Sequence, residues 1–488
     1  MTAWAFDNSL IRALPGMFTP WQAEVPKAPQ LVLFNDALAE RLGIPGRAVG
    51  EPQLADWYSG AAEVPGSEPA ALAYAGHQFG QFNPTMGDGR ALLLGEIVAP
   101  DGARFDLQFK GSGRTPYSRG GDGMSTLSTA LREYLVSEAM AALGVPTTRS
   151  LAVVATGGGI WREQPHPAAV LTRVAASHLR IGSFEFAAAH QGREGVERLC
   201  DYALERHYPA LLSAPNRPLA LLEAVAEVQA RLVAKWMALG FVHGVMNTDN
   251  VTISGETIDY GPCAFLDTYA EAQVFSSIDA QRRYAYGQQP AVCRWNLYRL
   301  ASALIEAIAA VNEADAEAAR VLLEEWPARY QEHWLQEMRA KLGLAAVRDE
   351  DAGLVRDLLS QLEGQQADFT MTFRALGAAL EHGFDAVAEQ VLEPDKLRPW
   401  FAAWQARLAE EPADPAARRE AMDRVNPLYI PRNRLLDDAL TAAEAGDLAP
   451  YTAMLAAVSA PFQPQTGFER FAAIPPQDAA AHVTFCGT

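Results

Sequence analysis

Lysine is scarce in this chain of 488 residues, which has a net charge of −19 from 40 basic and 59 acidic side chains. Its lysines are Lys27, Lys110, Lys235, Lys341 and Lys396. A surface this acidic argues against nucleic acid as the main partner, because binding to a phosphate backbone needs clustered positive charge. It is still compatible with a local basic pocket for a single nucleotide.

Cysteine clusters and long apolar runs are also missing. The four cysteines form no C-x-x-C pair, and no group of histidines and cysteines has the spacing of a zinc site. No stretch approaches the ~18 apolar residues of a membrane helix, and the N-terminus lacks the pattern of a secretory signal. No lysine lies between Gly and Ser or Thr, which excludes a Walker A loop. We therefore expect a cytoplasmic protein with no nucleic-acid or membrane partner.

The distribution of strand and helix signals predicts an α+β protein with two lobes. Residues 1–60 are expected to form an irregular N-terminal extension with one short helix near 35–42. Residues 61–215 are expected to form a strand-rich, nucleotide-binding N-lobe, and residues 216–440 a helical C-lobe with the catalytic and metal-binding loops. Residues 441–488 are expected to form a C-terminal tail.

Strand periodicity is clearest over Phe105–Lys110, where apolar and polar residues alternate. The apolar run Ala91–Val98 predicts a neighbouring strand. After Lys110 come a glycine-rich loop, Gly111–Gly123, and a helix predicted over 125–143, which Gly144 and Pro146 end. Lys110 therefore ends a strand next to a glycine-rich loop.

A lysine at such a strand end holds nucleotide phosphates in protein kinases and pairs with a glutamate on the following helix. Glu133 and Glu138 both lie on the predicted helix, and periodicity does not choose between them. The Gly-x-Gly turns at Gly87–Gly89 and Gly111–Gly113 could also approach phosphates. Arg90, next to the first turn, favours anion binding there.

The segment His243–Gly261 carries the most specific pattern in the chain. Two β-branched runs, Val251–Ile253 and Thr257–Tyr260, flank a Ser-Gly-Glu turn and predict a hairpin. Asn250 and Asp259 would then meet at its open end, about 5 Å apart like other paired strand residues. An amide oxygen and a carboxylate at that separation suit a divalent cation that phosphate oxygens and water complete.

The catalytic loop and metal site of protein kinases have the same residue spacing as this segment. Asn250 follows His243 by the kinase offset of seven residues, and Asp259-Tyr-Gly stands where kinases have Asp-Phe-Gly. Val245, however, occupies the position of the usual base and cannot accept a proton. Asp249 is the nearest carboxylate that can.

Taken together, these motifs resemble the selenoprotein O family of atypical pseudokinases. The matching segments are Gly76–Pro84, Gly87–Ala91, Gln108–Arg119, His243–Asn250 and Asp259–Pro262. The resemblance implies a protein-kinase-like two-lobed fold with an N-terminal extension and a helical C-terminal extension. It also implies a protein adenylyltransferase that binds ATP in a flipped orientation, with Mg²⁺ or Mn²⁺. Such an enzyme transfers AMP to Ser, Thr or Tyr hydroxyls of proteins and releases pyrophosphate.

The resemblance assigns roles to individual residues of this chain. Asp249 is implied as the proton acceptor, Asn250 and Asp259 as the metal ligands, and Lys110 with Glu133 as the ion pair. Asp259, Lys110 and Glu133 also count among the nucleotide-binding residues. The other implied nucleotide contacts are Gly87, Gly89, Arg90, Asp122, Gly123, Arg173 and Arg180. The expected partners are acceptor proteins, with the enzyme itself as a further candidate, and the expected state is a monomer.

Three other functions stay open at this point. Transfer of UMP from UTP is a variant of the same reaction. Val245 disfavours a conventional protein kinase, and the presence of Lys110, Asn250 and Asp259 disfavours an inactive ATP-binding scaffold.

Some relatives form a regulatory disulfide between a C-terminal cysteine and the activation segment. Whether Cys486 forms such a bond is left open.

Overall fold

The computed structural model describes residues 4–411, 413–472 and 482–484. Its strands are β1 Phe18–Pro20, β2 Gln30–Phe34, β3 Ala70–Leu72, β4 Gly76–Gln78, β5 Gln81–Asn83, β6 Ala91–Val98, β7 Arg104–Lys110, β8 Ser125–Thr126, β9 Arg149–Trp161, β10 Pro165–Ala175, β11 Phe241–Val242 and β12 Ala264–Phe265. Its α-helices are α1 Ser9–Ala13, α2 Asp36–Leu42, α3 Glu51–Ser59, α4 Leu127–Ala142, α5 Ile181–His207, α6 Arg217–Leu239, α7 Gln289–Val311, α8 Asp315–Lys341, α9 Asp351–Leu362, α10 Phe369–His382, α11 Asp385–Ala388, α12 Pro394–Ala409, α13 Pro415–Asp423, α14 Asn433–Glu444, α15 Ala449–Ser459 and α16 Glu469–Ala472. The protein therefore combines an N-terminal sheet with a helical C-terminal region, as the sequence predicts.

One antiparallel sheet organises the N-terminal half, with strand order β1-β3-β6-β7-β10-β9-β2 and β8 paired with β10. The predicted strands at 91–98 and 105–110 are β6 and β7, paired so that Ala91 lies opposite Lys110. The helix predicted over 125–143 is α4, and its N-cap Thr126 accepts a hydrogen bond from the backbone of Thr129. These sequence predictions are confirmed.

The short helix predicted near 35–42 is α2, but the expectation that the rest of the first 60 residues is irregular is wrong. Within this stretch the structure has helices α1 to α3 and strands β1 and β2. Strand β1 pairs with β3 and β2 pairs with β9, so the two strands form the edges of the main sheet. Pro20 ends β1, and an edge strand tolerates proline because one side of it has no ladder bonds to lose. Short proline-containing edge strands give little periodic signal, which explains the error.

Strand β7 has two chemically different faces, as its alternation predicts. Leu107 and Phe109 pack into a hydrophobic cluster with α2 and α3 on one side of the sheet. Asp106, Gln108 and Lys110 alternate with them and are equally buried. Because buried polar groups need partners, the second face of β7 directs a set of polar contacts toward the α4 side of the sheet.

Helices α7 to α14 confirm the helical character predicted for the region up to residue 440, and α15 continues it into the segment that was expected to be a tail. Helix α6 lies at the centre of this region, begins after the N-cap Asn216 and ends at Gly240, whose left-handed conformation is typical of helix ends. Two later helices pack on α4 of the N-terminal half. Tyr451 of α15 donates to the carbonyl of Leu131 at 2.9 Å, and Glu444 of α14 accepts from the backbone of Ser128 at 3.2 Å.

Across the ranges given above, no helix has the length and apolar character needed to cross a membrane.

Candidate active site

Asp259 lies at the centre of a buried ionic cluster. Lys110 Nζ is 2.6 Å from Asp259 Oδ1 and 2.6 Å from Glu133 Oε2. Strand β7 brings Lys110 to this point and helix α4 brings Glu133. Glu138, the other candidate on α4, instead binds Arg149 at 2.6 Å. The structure therefore pairs Lys110 with Glu133, the glutamate that the family resemblance implied.

Two buried arginines complete the cluster. Arg173 Nη1 is 2.8 Å from Asp259 Oδ1 and 3.2 Å from Glu133 Oε1, and Arg180 Nη1 is 3.3 Å from Asp259 Oδ2. Burial alone would raise the pKa of Asp259, but Lys110 and the two arginines hold that pKa well below its usual range. Asp259 is therefore ionised at any physiological pH, as a metal ligand must be. Both arginines, implied by the family resemblance as nucleotide contacts, are buried.

The backbone of Asp259 has a left-handed conformation, with φ of 64°. Such a value is uncommon for a residue other than glycine and costs free energy. The three contacts of its carboxylate with Lys110, Arg173 and Arg180 can hold the residue in this position. The strained backbone lies at the most highly charged point of the cluster.

Three residues around the cluster were missed by the sequence reasoning. Gln108 accepts a hydrogen bond from Arg173 and donates to Asp88 Oδ2 at 3.0 Å. The Arg180 guanidinium lies 4.5 Å from the ring centroid of Tyr74, a cation–π contact. Gln108 could have been found from its alternation with Lys110 on β7, and Asp88 from its place between the two glycines of the first turn. Tyr74 has no comparable signal.

The predicted hairpin over 251–260 does not form as two paired strands. Thr252 forms an isolated bridge with Arg180, and Thr257 forms one with Thr147. The turn itself is present, because Thr252 Oγ1 accepts from the backbone N–H of Glu256 at 3.0 Å. The two arms pair with other segments because buried backbone groups take whichever partners the fold supplies.

His243 joins the two arms in place of the hairpin ladder. The ring Nε2 of this buried histidine lies 2.9 Å from the carbonyl oxygen of Ile258, the residue before Asp259. Burial lowers the pKa of His243, so the ring is neutral and donates this hydrogen bond. The histidine is thus a positioning element that ties the 243–250 loop to Asp259.

Asp249 has the properties of a base in this loop. Its side chain is buried, and one oxygen, Oδ1, has no hydrogen-bond partner among the described residues. Burial raises the pKa of this carboxyl group to about 6. Arg180 Nη1 donates to the backbone carbonyl of Asp249 at 2.8 Å and so links it to Asp259. Val245, at the usual base position of a kinase, is buried and apolar.

Asn250 follows directly and is only partly buried. Its amide nitrogen donates to the carbonyl of Val245 at 2.9 Å, so the amide oxygen is the atom that could bind a cation. The described residues contain no group of three or more His, Cys, Asp or Glu side chains arranged around a metal position. An amide oxygen and an ionised carboxylate fit a hard cation such as Mg²⁺ that takes its other ligands from phosphate and water.

The two glycine-rich turns lie beside the end of β7. The backbone N–H of Gly111 donates to the carbonyl of Arg90 at 2.7 Å, which places Arg90 next to the strand end that carries Lys110. Gly87 has φ of 72°, and a Cβ there would lie 2.3 Å from the Tyr117 ring. Gly89 is half-buried in the same turn.

The second turn contributes Asp122 and Gly123. Asp122 forms a two-point ion pair with Arg162, at 2.7 and 3.0 Å, and so is not part of the Asp259 cluster. Gly123 has φ of 69°, and a Cβ would lie 2.0 Å from the carbonyl oxygen of Gly113. Only glycine therefore fits at position 123.

The cysteines give no support for a redox role. Cys263 and Cys293 are buried and free, and burial raises the pKa of the Cys263 thiol to about 11. Cys486 lies outside the described residues. The question of a disulfide to Cys486 therefore stays a prediction.

Comparison with known proteins agrees with this geometry. The chain falls in the class of enzymes that transfer nucleotides to proteins. The family model described as "Protein adenylyltransferase SelO" matches residues 3–459, and the chain belongs to this family.

Bacterial relatives match over nearly the whole chain. A protein of Sphingopyxis alaskensis is 55% identical over 99% of this chain and 100% of its own length. A protein of Cereibacter sphaeroides is 52% identical, with 99% of each chain covered. A protein of Rhizobium rhizogenes is 49% identical, over 99% of this chain and 97% of its own. All three are named protein nucleotidyltransferase YdiU.

Proposed function

We propose that this protein is an adenylyltransferase that moves AMP from ATP to Ser, Thr or Tyr hydroxyls of proteins. The observation that carries the proposal is the buried Asp249 carboxylate, which has a pKa of about 6 and an unpartnered oxygen beside the Asp259 cluster. A pKa near the working pH lets a carboxylate take a proton efficiently. Family membership supports the same reaction.

In the proposed reaction, Asp249 takes the proton of the acceptor hydroxyl and the hydroxyl oxygen forms a bond to the α-phosphorus of ATP. The bond from the α-phosphorus to the oxygen bridging the α- and β-phosphates breaks, and pyrophosphate leaves. This requires ATP in the flipped orientation, with its α-phosphate facing the acceptor. The nearby positive charges of Lys110, Arg173 and Arg180 favour binding of the phosphates.

Asn250 and Asp259 are the residues that would hold the divalent cation, Mg²⁺ or Mn²⁺. A bound cation would neutralise charge on the phosphate oxygens. Gly87, Gly89, Arg90, Asp122 and Gly123 are proposed as further nucleotide contacts, through the two turns beside β7. Glu133 acts by holding Lys110.

We further propose a protein-kinase-like arrangement of two lobes. The sheet-containing part would be the N-lobe, over about 61–215, and the helical part the C-lobe, over about 216–440. The Lys110–Glu133 pair, the 243–250 loop and Asp259 have the order and contacts of a kinase site. The lost base at Val245 fits a reaction other than phosphoryl transfer.

The test uses ATP labelled on the α- or the γ-phosphate, with Mg²⁺ or Mn²⁺ and a bacterial protein extract. Label from the α-phosphate should enter protein and label from the γ-phosphate should not, and Asp259→Ala should abolish the signal. Incorporation of γ-label alone would identify a kinase, and binding of ATP without transfer would identify a scaffold. Parallel reactions with α-labelled UTP distinguish transfer of UMP from transfer of AMP.

A further inference from the structure

A groove separate from the Asp259 cluster opens in the helical region. It has a volume of about 1300 Å³ and lies between the segment 269–291 and helices α7, α8 and α9. Small-molecule sites usually measure about 300–1,000 Å³, so the groove is large enough for a segment of polypeptide. Among the residues that the structure describes, none that lines the groove is proposed to bind nucleotide or metal.

The rim of this groove includes Phe79, at the tip of the hairpin formed by β4 and β5. Phe79 and Gly80 both have positive φ, 50° and 85°, as the tight turn of a two-residue hairpin requires. Phenylalanine is costly in that conformation, yet the ring of Phe79 is 38% exposed. An exposed aromatic side chain at a strained turn next to a groove is typical of a binding surface.

The same hairpin contacts the loop that carries Asp249. Asn247 Oδ1 accepts a hydrogen bond from the backbone of Phe79 at 3.0 Å and a second one from the hydroxyl of Tyr284. The rings of Phe79 and Tyr284 lie 5.2 Å apart. Because Asn247 is two residues before Asp249, a chain lying in the groove would pass close to the proposed base.

The groove has a small excess of positive charge among its lining residues. Arg282, Arg283 and Arg356 line it together with Glu271 and Glu363. In the described part of the chain, none of the three arginines forms an ion pair. The Arg283 guanidinium lies 4.7 Å from the ring centroid of Trp295, and its buried Nε has no hydrogen-bond partner. Unpaired arginines in a chain of net charge −19 point to an acidic partner.

Hydrogen bonds to Asp279 fix the backbone of Arg283. The Asp279 carboxylate accepts from the backbone N–H of Arg283 at 2.9 Å and from that of Tyr284 at 2.7 Å. This carboxylate is therefore already engaged by the backbone. The arginine side chain is held over Trp295, where its guanidinium lines the groove.

We infer that this groove binds an extended segment of the acceptor protein, with an acidic side chain of that segment on Arg283. The segment would present its hydroxyl to Asp249 across the Phe79 hairpin. The inference rests on the proposed function and adds to it the class of acceptor: hydroxyl residues with Asp or Glu nearby in sequence.

The experiment uses a mixed pool of synthetic peptides that carry one Ser, Thr or Tyr with flanking acidic, neutral or basic residues. The full-length protein is incubated with the pool, ATP and Mg²⁺ or Mn²⁺, and modified peptides are counted by mass spectrometry. We expect acidic peptides to be enriched by about tenfold, the effect of one charge-assisted contact. Arg283→Glu should reverse the preference toward basic peptides, and Arg283→Lys should keep it.

Arg424→Glu is the matched control, since Arg424 is exposed, lies outside the groove and makes the same change of charge. ATP affinity and thermal unfolding of each variant show whether the fold and the nucleotide site are intact. An unchanged preference in Arg283→Glu, or no charge preference in the wild type, would overturn the inference and leave AMP transfer standing. Transfer to whole proteins but to no peptide would overturn it as well. If α-label enters neither proteins nor peptides, the proposed function itself fails.

Discussion

The side chain of Arg180 binds Asp249 and Asp259 with a single nitrogen. Its Nη1 lies 2.8 Å from the backbone carbonyl oxygen of Asp249 and 3.3 Å from Oδ2 of Asp259. The proposed base and the proposed metal ligand are thus held in register by a buried arginine from the N-terminal half.

Arg180→Lys should therefore impair transfer strongly, because a lysine ammonium has neither the reach nor the planar donor set of a guanidinium. We expect the rate of AMP incorporation to fall about 100-fold, because small displacements of catalytic groups cause losses of this size. Initial rates with α-labelled ATP measure it. Arg149→Lys, at the ion pair with Glu138, makes the same chemical change outside the cluster. Rates of Arg180→Lys equal to those of Arg149→Lys would contradict the bridging role.

The pKa of Asp249 predicts the pH dependence of the reaction. Burial raises this pKa to about 6, and only the ionised carboxylate can accept a proton. At limiting substrate the rate should rise about tenfold per pH unit below 6 and level off above it. Asp249→Asn should remove the activity at every pH. A wild-type profile that is flat between pH 5 and 7, at about constant ATP affinity, would argue against Asp249 as the base.

The same raised pKa predicts an effect on stability with a definite sign. The folded state holds the Asp249 proton up to about pH 6, whereas the unfolded chain releases it near 3.8. Between these values the folded state binds more protons, so rising pH lowers the free energy of unfolding. Asp249→Asn should then stabilise the protein at pH 7.5 by up to about 3 kcal/mol and have little effect near pH 4. Urea unfolding at both pH values tests this, and equal effects at the two would contradict it.

Lys110 should be needed for stability as well as for activity. Lys110→Met would remove a buried cation that Glu133 and Asp259 share and leave Arg173 to contact both carboxylates alone. Breaking a buried pair in this way costs about 3–5 kcal/mol, and nucleotide binding should weaken in parallel. Lys235→Met is the control, because Lys235 is a partly exposed lysine with a loose contact to Glu337 at 3.7 Å. Chemical unfolding and ATP titration of the two variants should differ clearly.

Gly76 gives a test of how tightly Asp249 is enclosed. A Cβ at this position would lie 2.9 Å from Asp249 Oδ1 and 2.7 Å from Met86 Sδ, both too close. Gly76→Ala should therefore displace the carboxylate and reduce transfer by about ten- to 100-fold with the fold retained. Gly353→Ala, where a Cβ meets nothing within 4 Å, is the matched control. Full activity of Gly76→Ala would show that the Asp249 position is not critical.

Local sequence patterns were sufficient for the elements that carry the site. The alternation of β7 places Lys110 at a strand end, and the glycine-rich loop and the Gly144 and Pro146 signals delimit α4. The hairpin over 251–260 was predicted wrongly because β-branched runs do not reveal their partners. Thr252 and Thr257 pair with Arg180 and Thr147, far away in sequence.

Local sequence patterns also do not predict the burial of Arg173 and Arg180. Arg173 lies near the end of β10 and Arg180 is the N-cap of α5, and only the assembled fold shows that Asp259 lies against them. The role of Gln108 depends on the same long-range contacts. Contacts between residues that are far apart in the chain are the hardest to predict from a single sequence.

The packing of α14 and α15 on α4 has a consequence for control of the enzyme. In protein kinases, activity is governed by repositioning of the helix that supplies the glutamate partner of the lysine. In this chain Glu133 is supplied by α4, which is secured by Tyr451 on Leu131 and by Glu444 on Ser128. Swinging α4 outward would break both contacts and expose the buried Tyr451 side chain. Regulation through this helix would therefore have to displace α14 and α15 as well.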